Sequence, residues 1–180
     1  MKQYYVTSAV GKDRPGFINQ ITRVIYASGG NVEMQRAARM ADEFAAIILF
    51  SLEGSDPAGE SALQGLLALQ SDDFKITARA AVGAGDAAIP GCSFAEVTAS
   101  GADQPGIIDV VTHLLFKENI NVESMNYNVD SAPMTGQQLF RMEARLAIPE
   151  GVDVETLKEK LRELEDQLNF DILFTHPVCA

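Results

Sequence analysis

The sequence of 180 residues contains no tryptophan, two cysteines and two histidines. Cys92 and Cys179 do not make a disulfide framework, and no C-x-x-C pair or His/Cys cluster has the spacing of metal ligands. We therefore expect reduced thiols, no metal and no cofactor. Neither His113 nor His176 accompanies a nucleophile, phosphate-binding or zinc-protease motif, so an enzyme is the least favoured class of function.

Basic residues are also scarce, and no long apolar run is present. Lysine and arginine number 14 against 25 aspartates and glutamates, which gives a formal net charge of −11. Such a charge repels a phosphate backbone, so we expect no direct contact with nucleic acid. The strongly apolar run over residues 44–50 is far shorter than the roughly 18 residues that cross a bilayer, and the first residues do not resemble a secretion signal. These absences predict a cytoplasmic protein without membrane contact.

An internal duplication organises the chain. Residues 11–16, Gly-Lys-Asp-Arg-Pro-Gly, recur as residues 101–106, Gly-Ala-Asp-Gln-Pro-Gly, at an offset of 90 (101 minus 11). The same offset relates residues 31–33 to residues 121–123, both Asn-Val-Glu. A repeat of this length indicates two units of one architecture.

The duplication divides the chain into two predicted domains. We expect a first domain over residues 1–83, a linker over residues 84–91 that is rich in glycine and other small residues, and a second domain over residues 92–180. The apolar fraction of 47% and the charged fraction of 22% are those of an ordinary globular protein, so the whole chain is expected to fold.

Hydrophobic periodicity predicts the same order of elements in both units. The first unit has predicted strands over 3–10, 31–40, 43–53 and 74–82, with helices over 15–28 and around 63–67. The second has predicted strands over 93–100, 121–129, 137–148 and 170–175, with helices over 105–118 and 154–168. The fold class is therefore α+β: two tandem ferredoxin-like βαββαβ domains, each a four-stranded antiparallel sheet with two helices on one face.

The duplicated loop is the candidate binding site. It opens a helix, where backbone N–H groups lack intrahelical partners and the dipole is positive, so an anion fits there. Gly16 and Gly106 permit close approach, and Asp13 and Asp103 can accept a hydrogen bond from an ammonium group. A free amino acid complements both charges. On the alternative interpretation, the aspartates form Asx turns and the glycines only permit the turn.

These features resemble the ACT domain, a regulatory module that binds amino acids. The resemblance rests on the G-x-D-x-P-G loop, the Asn-Val pair that opens the second strand, the element order and the tandem duplication, and it covers nearly the whole chain. A free-standing pair, together with residues 132–136 (Ala-Pro-Met-Thr-Gly) before the strand that holds Leu139 and Phe140, is similar to the glycine cleavage system transcriptional repressor family.

In pairs of ACT domains the ligand lies between two modules and contacts the strand-to-helix loop of one and the start of the second strand of the other. The resemblance thus implies these ligand-binding residues: Gly11, Asp13, Arg14, Gly16, Asn31, Gly101, Asp103, Gly106 and Asn121. Lys12 and Arg14 have no basic counterpart in the second loop. One loop could therefore bind the ligand while the other has only a structural role. Asn31 and Asn121 are alternatively simple turn residues.

The resemblance implies a non-catalytic, allosteric regulator that senses an amino acid, with glycine or serine favoured. It would control transcription in glycine or one-carbon metabolism through a protein partner, a DNA-binding regulator, and homo-oligomers are expected. The alternative is a structural or dimerisation module without a working ligand site, which associates through open sheet faces or edge strands.

The second unit contains an insertion. Glu53-Gly54 matches Glu150-Gly151 at an offset of 97 (150 minus 53), so about seven residues are added around residues 130–136. The added residues are either a length variation or a contact surface.

Overall fold

The computed structural model describes residues 2–54, 56–82 and 91–176. They form two compact units, one within Met1–Ala87 and the other within Ala88–Ala180. Cys179 and most of the predicted linker over residues 84–91 lie outside the described residues. The predicted domain bounds therefore stay a prediction.

The first unit has the predicted βαββαβ order. Its elements are β1 (Lys2–Lys12), α1 (Phe17–Ala27), β2 (Gly30–Met40), β3 (Glu43–Glu53), α2 (Asp56–Leu67) and β4 (Phe74–Ala81). The strands pair antiparallel in the order β2-β3-β1-β4. The apolar β3 thus has the central position that its sequence predicts, since a strand with neighbours on both sides tolerates a continuous apolar run.

The second unit repeats this architecture. Its elements are β5 (Cys92–Ala102), α3 (Ile107–Lys117), β6 (Asn121–Ser131), β7 (Gln138–Pro149), α4 (Val154–Leu168) and β8 (Phe170–Thr175). The strands pair antiparallel in the order β6-β7-β5-β8. The α+β ferredoxin-like prediction is confirmed in both units. In the described part of the chain, no helix has the length and apolar character needed to span a membrane.

The helix after each duplicated loop packs one apolar face on its sheet. Phe17, Ile21 and Ile25 of α1 are buried at the four-residue spacing of a single helix face. Burying side chains of this kind contributes roughly 1.5–3 kcal/mol each. The prediction that Pro15 is the first helical residue is wrong, because the left-handed backbone of Gly16 breaks the helical path and α1 begins only at Phe17.

The strand register locates the insertion of the second unit. Gly11 pairs with Phe44, and Gly101 pairs with Phe140, so β3 and β7 are related by an offset of 96 (140 minus 44). Since β1 and β5 are related by an offset of 90, six residues are added, one fewer than the Glu-Gly match predicts. The connection between the two strands grows from two residues, 41–42, to six, 132–137, and β6 and β7 are each one residue longer at that end. The offset of the Glu-Gly match is one residue larger than that of the strands, and this seventh residue lies after the end of β7.

Candidate functional site

Two glycines at the helix starts have a backbone conformation that glycine adopts without strain. The φ angle is 87° at Gly16 and 95° at Gly106, and a side chain there would cost about 1–2 kcal/mol. An added Cβ would meet no atom within 4 Å at either position, so conformation rather than crowding requires glycine. Within the described residues, no side chain caps the first turn of α1 or α3. The N–H of Phe17 donates to the carbonyl oxygen of Arg14 at 3.3 Å, and the other N–H groups at these helix starts can bind an anion from solvent.

The other two loop glycines serve strand packing. An added Cβ at Gly11 would collide with the carbonyl oxygen of Asp73, and one at Gly101 would lie 2.6 Å from Cβ of Phe170. Both obstacles are at the start of the fourth strand of the unit, where it adjoins the end of the first strand. Close approach of these strands explains both glycines, and their contact with a ligand stays a prediction.

The second strand of the first unit holds the Asp13 carboxylate. Oδ2 of Asp13 lies 3.1 Å from Nε of Arg39, and the backbone N–H of Asp13 donates to the carbonyl oxygen of Asp42 at 2.8 Å. Arg14, which is exposed, donates from Nη2 to Oε1 of Gln20 at 3.0 Å. The first loop therefore presents an aspartate whose negative charge is already paired with a guanidinium.

Asp103 occupies the same place in the second unit and has a different partner. The hydroxyl of Tyr127 donates to Oδ1 of Asp103 at 2.6 Å. The Tyr127 ring stacks on Phe140 with centroids 5.6 Å apart, so most of the side chain belongs to the core. Burial and, next, the bond to Asp103 raise the pKa of Tyr127 to about 12. The phenol is a neutral donor, so Asp103, which is exposed, has no cationic partner here of the kind that Asp13 has.

Arg39 and Tyr127 were not identified from the sequence. A signal existed for Tyr127, because it alternates with Met125 on the core side of β6, and a tyrosine in that position needs a partner for its hydroxyl. Arg39 gave no comparable signal, since an arginine on an exposed stretch of strand is ordinarily solvated.

The second loop borders a cavity of about 250 Å³. Its walls are formed by the loop, the first turn of α3 and one residue of β6: Asp103, Gln104, Pro105, Gly106, Ile107, Ile108, Asp109 and Tyr127. Sites for drug-sized ligands measure roughly 300–1,000 Å³, so this cavity suits a smaller molecule. A carboxylate acceptor and uncapped N–H donors meet at its surface.

The structure separates Asn31 from the loop of its own unit. Asn31 opens β2, and Arg39, which holds Asp13, is eight residues further along the same strand (39 minus 31). At about 3.3 Å per residue, these positions are about 26 Å apart. One small ligand cannot contact both ends, so the implied site residues form two groups at opposite ends of the sheet. Asn121 at the start of β6 has the same placement.

Asn31 belongs to a hydrogen-bonded network around a β-bulge at Glu33. Oε1 of Glu33 lies 2.8 Å from Nζ of Lys2, accepts from Oγ of Ser51 at 2.6 Å and accepts from Nδ2 of Asn31 at 3.4 Å. Lys2 and then Ser51 lower the pKa of Glu33 to about 2. The network keeps this carboxylate charged over the ordinary pH range.

The second unit repeats the bulge contact. Nδ2 of Asn121 donates to Oε1 of Glu123 at 3.0 Å, where the register again shifts. Asn31 and Asn121 both lie in strands, so the alternative that they are turn residues is wrong. The repeated Asn-Val-Glu sequence forms a bulge in which the asparagine amide binds the glutamate two residues later.

The histidines and acidic residues give little indication of catalysis. Among the described residues, no group of three or more His, Cys, Asp or Glu side chains is arranged to hold a metal ion. His176 lies 2.9 Å from Oγ of Ser93 and stacks on Phe174. Ser93 pairs with Ile148 in the regular β5–β7 ladder. The contact joins the end of β8 to the start of β5, away from both duplicated loops.

Comparisons with known proteins agree with this architecture. The sequence model of the ACT domain family matches residues 3–80, nearly the whole first unit. The glycine cleavage system transcriptional repressor of Escherichia coli (strain K12) is 26% identical over 176 residues, which cover 93% of this chain and 87% of that protein. A UPF0237 protein of Methanopyrus kandleri is 31% identical over 83 residues, 46% of this chain and 86% of that protein.

A solved structure extends the likeness to both units. The crystal structure of an unknown protein from Galdieria sulphuraria has a TM-score of 0.84 at 29% identity, and the match covers 99% of this chain and 100% of that one. The family model, the duplicated loop and the two ferredoxin-like sheets lead to one conclusion. The first unit belongs to the ACT domain family, the second unit repeats its loop and its fold, and the chain resembles the glycine cleavage system transcriptional repressors.

Proposed function

We propose that the chain is a non-catalytic regulatory protein that binds a small amino acid at its duplicated loop. The ACT family match and the likeness to the Escherichia coli repressor support a regulatory role. The observation that carries the ligand proposal is the combination of a helix N-terminus without a side-chain cap and an aspartate three residues before the glycine that precedes the helix. The N–H groups at Gly16 and Gly106 would bind the carboxylate, while Asp13 and Asp103 would bind the ammonium group.

The second loop is the stronger site in this proposal. Asp13 already faces the Arg39 guanidinium at 3.1 Å, so an ammonium group would have to compete with a resident cation. Asp103 accepts from a neutral phenol and keeps its charge for a ligand. The cavity of about 250 Å³ beside Asp103 supplies the space. The difference favours one dominant site per chain.

The remaining implied residues have secondary parts. In the first loop, Arg14 would place a positive charge near the carboxylate of the ligand. Gly11 and Gly101 would act through the loop shape, because their close strand contacts already explain them. Asn31 and Asn121 are too far from the loop of their own unit, so they would join a site only with the loop of a different ACT unit or a second copy of the chain.

Glycine or serine is the proposed ligand. The cavity is small, and the site requires a carboxylate and an ammonium group close together, which every α-amino acid has. Long side chains would have to leave this cavity. The choice of glycine or serine also follows the Escherichia coli relative, whose name places it in the glycine cleavage system.

A protein partner would carry the regulatory signal. The net charge of −11 opposes direct contact with DNA, so a separate DNA-binding regulator is the proposed partner. Ligand binding would alter how the chain meets that partner, in the cytoplasm and in the service of glycine or one-carbon metabolism. The relative described as a transcriptional repressor supports this part of the proposal.

One observation favours a second candidate, a dimerisation module. Apolar side chains of the first sheet are exposed on the face opposite its core, including Val10 and Ile47 at 48% and Met40 at 75%. An apolar patch of this kind is typical of an association surface. If the chain is a dimerisation module, the duplicated loop has only a structural role, and no amino acid would stabilise the fold.

Thermal unfolding of the ligand-free protein with each of the twenty common amino acids tests the proposal. A ligand at about 100 times its dissociation constant should stabilise the fold by about 2.7 kcal/mol. Acetate and methylamine, each of which lacks one of the two charged groups, are the matched controls and should have little effect. If no amino acid at millimolar concentration raises the melting temperature, the dimerisation candidate replaces the sensor.

A further inference from the structure

The two sheets differ on the face that points away from the helices. Strand residues alternate between core and solvent, and in the second unit one exposed row crosses all four strands. The register aligns Asn128, Arg141, Ser100 and Asp171 in that order across β6, β7, β5 and β8. A guanidinium and a carboxylate therefore flank a small hydroxyl residue on an open sheet face.

The duplicated row of the first unit has none of this chemistry. Register gives Ala38, Ala45, Val10 and Lys75 as the counterparts, in the same strand order. Two alanines and a valine replace the amide, the guanidinium and the hydroxyl, and a lysine replaces the aspartate. The polar row thus belongs to the second unit alone, and the first unit provides a matched control.

The polar row lines an open cavity of about 690 Å³. Ser100 and Gly101 are small and form its floor along β5, while Arg141 and Leu139 border one side and Asp171 the other. A volume of this order lies within the roughly 300–1,000 Å³ of small-molecule sites. The second unit therefore has room for a ligand on the sheet face opposite its helices.

The charges that border this cavity are not paired with one another. In the described residues, ion pairs with N–O distances up to 4.0 Å do not include Arg141, Asp171 or Asp130, the further carboxylate of the lining. Arg141 and Asp171 are two strands apart, about 10 Å between their backbones, with Ser100 between them. A gap of that width can hold a small zwitterion, whose ends would meet opposite charges.

We propose that this groove binds a small aliphatic diamino acid, with one carboxylate and two ammonium groups. The carboxylate would take a bidentate bond from Arg141, and the ammonium groups would face Asp171 and Asp130. The aliphatic stem would lie along Leu139, which is 40% exposed. The lining has one guanidinium and two carboxylates, so a ligand with the reverse charges leaves none of them unpaired. The groove adjoins the loop at Gly101 but lies on the opposite face of the sheet, and this proposal does not depend on a ligand in the loop.

Amide chemical shifts of the full chain, recorded while L-lysine is added, test the groove. We expect saturable shifts at Ser100, Gly101 and Asn128. Norleucine keeps the stem and the carboxylate but lacks the second amine, and cadaverine keeps both amines but lacks the carboxylate. Each of these probes should bind at least about tenfold more weakly than lysine, because each loses one charge-assisted contact.

Matched variants make the test specific to the row. Arg141→Gln and Asp171→Asn should weaken lysine binding at least about tenfold, whereas Lys75→Gln, at the counterpart of Asp171 in the first unit, should not change it. The replaced side chains are exposed, and unchanged dispersion of the other amides verifies the fold of each variant. Absence of shifts at 100, 101 and 128 at millimolar lysine, or shifts that persist in both groove variants, would overturn the proposal. Shifts confined to residues 103–109 would report the loop site instead and also overturn it.

Discussion

The hydroxyl of Tyr127 lies 2.6 Å from Oδ1 of Asp103, and the two duplicated loops differ most at this contact. The equivalent aspartate, Asp13, forms an ion pair with the Arg39 guanidinium instead. A cation and a neutral phenol both orient a carboxylate, but only the cation cancels its charge. Arg39 corresponds to Val129 and Tyr127 to Ala37, so divergence at two positions of the second strand has given two similar loops different electrostatics.

The Tyr127 phenol should ionise late in an alkaline titration. The chain has four tyrosines, and one component of the ultraviolet titration should have its midpoint near pH 12. Tyr127→Phe should remove this component. Asp103→Asn should move it toward lower pH without restoring an ordinary value, because burial is the larger cause. A late component that survives in Tyr127→Phe would contradict the assignment.

Acid unfolding should respond to Glu33. Its pKa falls from 4.5 to about 2 in the folded state, so its contribution to stability is complete above pH 4.5 and is lost as the pH falls toward 2. Melting temperatures over this range should therefore decline more steeply for the native protein than for Glu33→Gln. Lys2→Gln removes the largest cause of the shift and should behave like Glu33→Gln. Parallel curves for all three proteins would show that the network does not contribute.

The fold could be predicted because two copies of one pattern constrain it. The continuous apolar run predicted a strand over residues 43–53, and β3 spans these residues. Helix α2 was predicted only around residues 63–67, yet it spans Asp56–Leu67. Its first half contains Gly59, where a Cβ would collide with the Tyr5 ring. Glycine is a poor helix former, so tertiary packing rather than propensity explains that half.

The site could be predicted only in part. The loop and its aspartates were evident because they recur at one spacing. The partners of these aspartates, Arg39 and Tyr127, depend on which strand positions lie beside the loop, and strand register is a tertiary property. The grouping of Asn31 with Asp13 came from a family resemblance, and the length of β2 separates the two within one unit.

Alanine substitutions at the two kinds of loop glycine should both destabilise the first unit, for different reasons. Gly16→Ala introduces a left-handed alanine and should cost about 1–2 kcal/mol. Gly11→Ala forces β1 away from the Asp73 backbone and should cost about 1–3 kcal/mol or more. Hydrogen exchange read by unit is the measurement: both changes should raise exchange in the first unit and leave the second unchanged. If Gly11→Ala left hydrogen exchange in the first unit as slow as in the native protein, the packing role of Gly11 would be contradicted.

The isolated chain should not retain duplex DNA in a mobility-shift assay at physiological salt. Its net charge of −11 offers no counterion release on binding. Adding glycine should not change this result, because the proposed ligand acts on contact with a protein. Retention that weakens steeply with salt would show a basic footprint that the composition does not indicate, and it would remove the need for a separate DNA-binding partner.

The stoichiometry of glycine binding should reveal the inequality of the loops. We expect isothermal titration to give one dominant site per chain, and Asp103→Asn to weaken it at least about tenfold through loss of the ammonium acceptor. Asp13→Asn is the matched control and should leave this site nearly unchanged.

Arg39→Gln provides a gain-of-function test of the same idea. It frees Asp13 from its resident cation, 3.1 Å away, and should add a second, weaker site per chain. Tyr127→Phe should retain glycine binding, because it removes a neutral donor and leaves the Asp103 charge in place. If Asp13→Asn abolishes binding while Asp103→Asn does not, the first loop is the working site, and the paired guanidinium must then assist the ligand carboxylate rather than compete with its ammonium group.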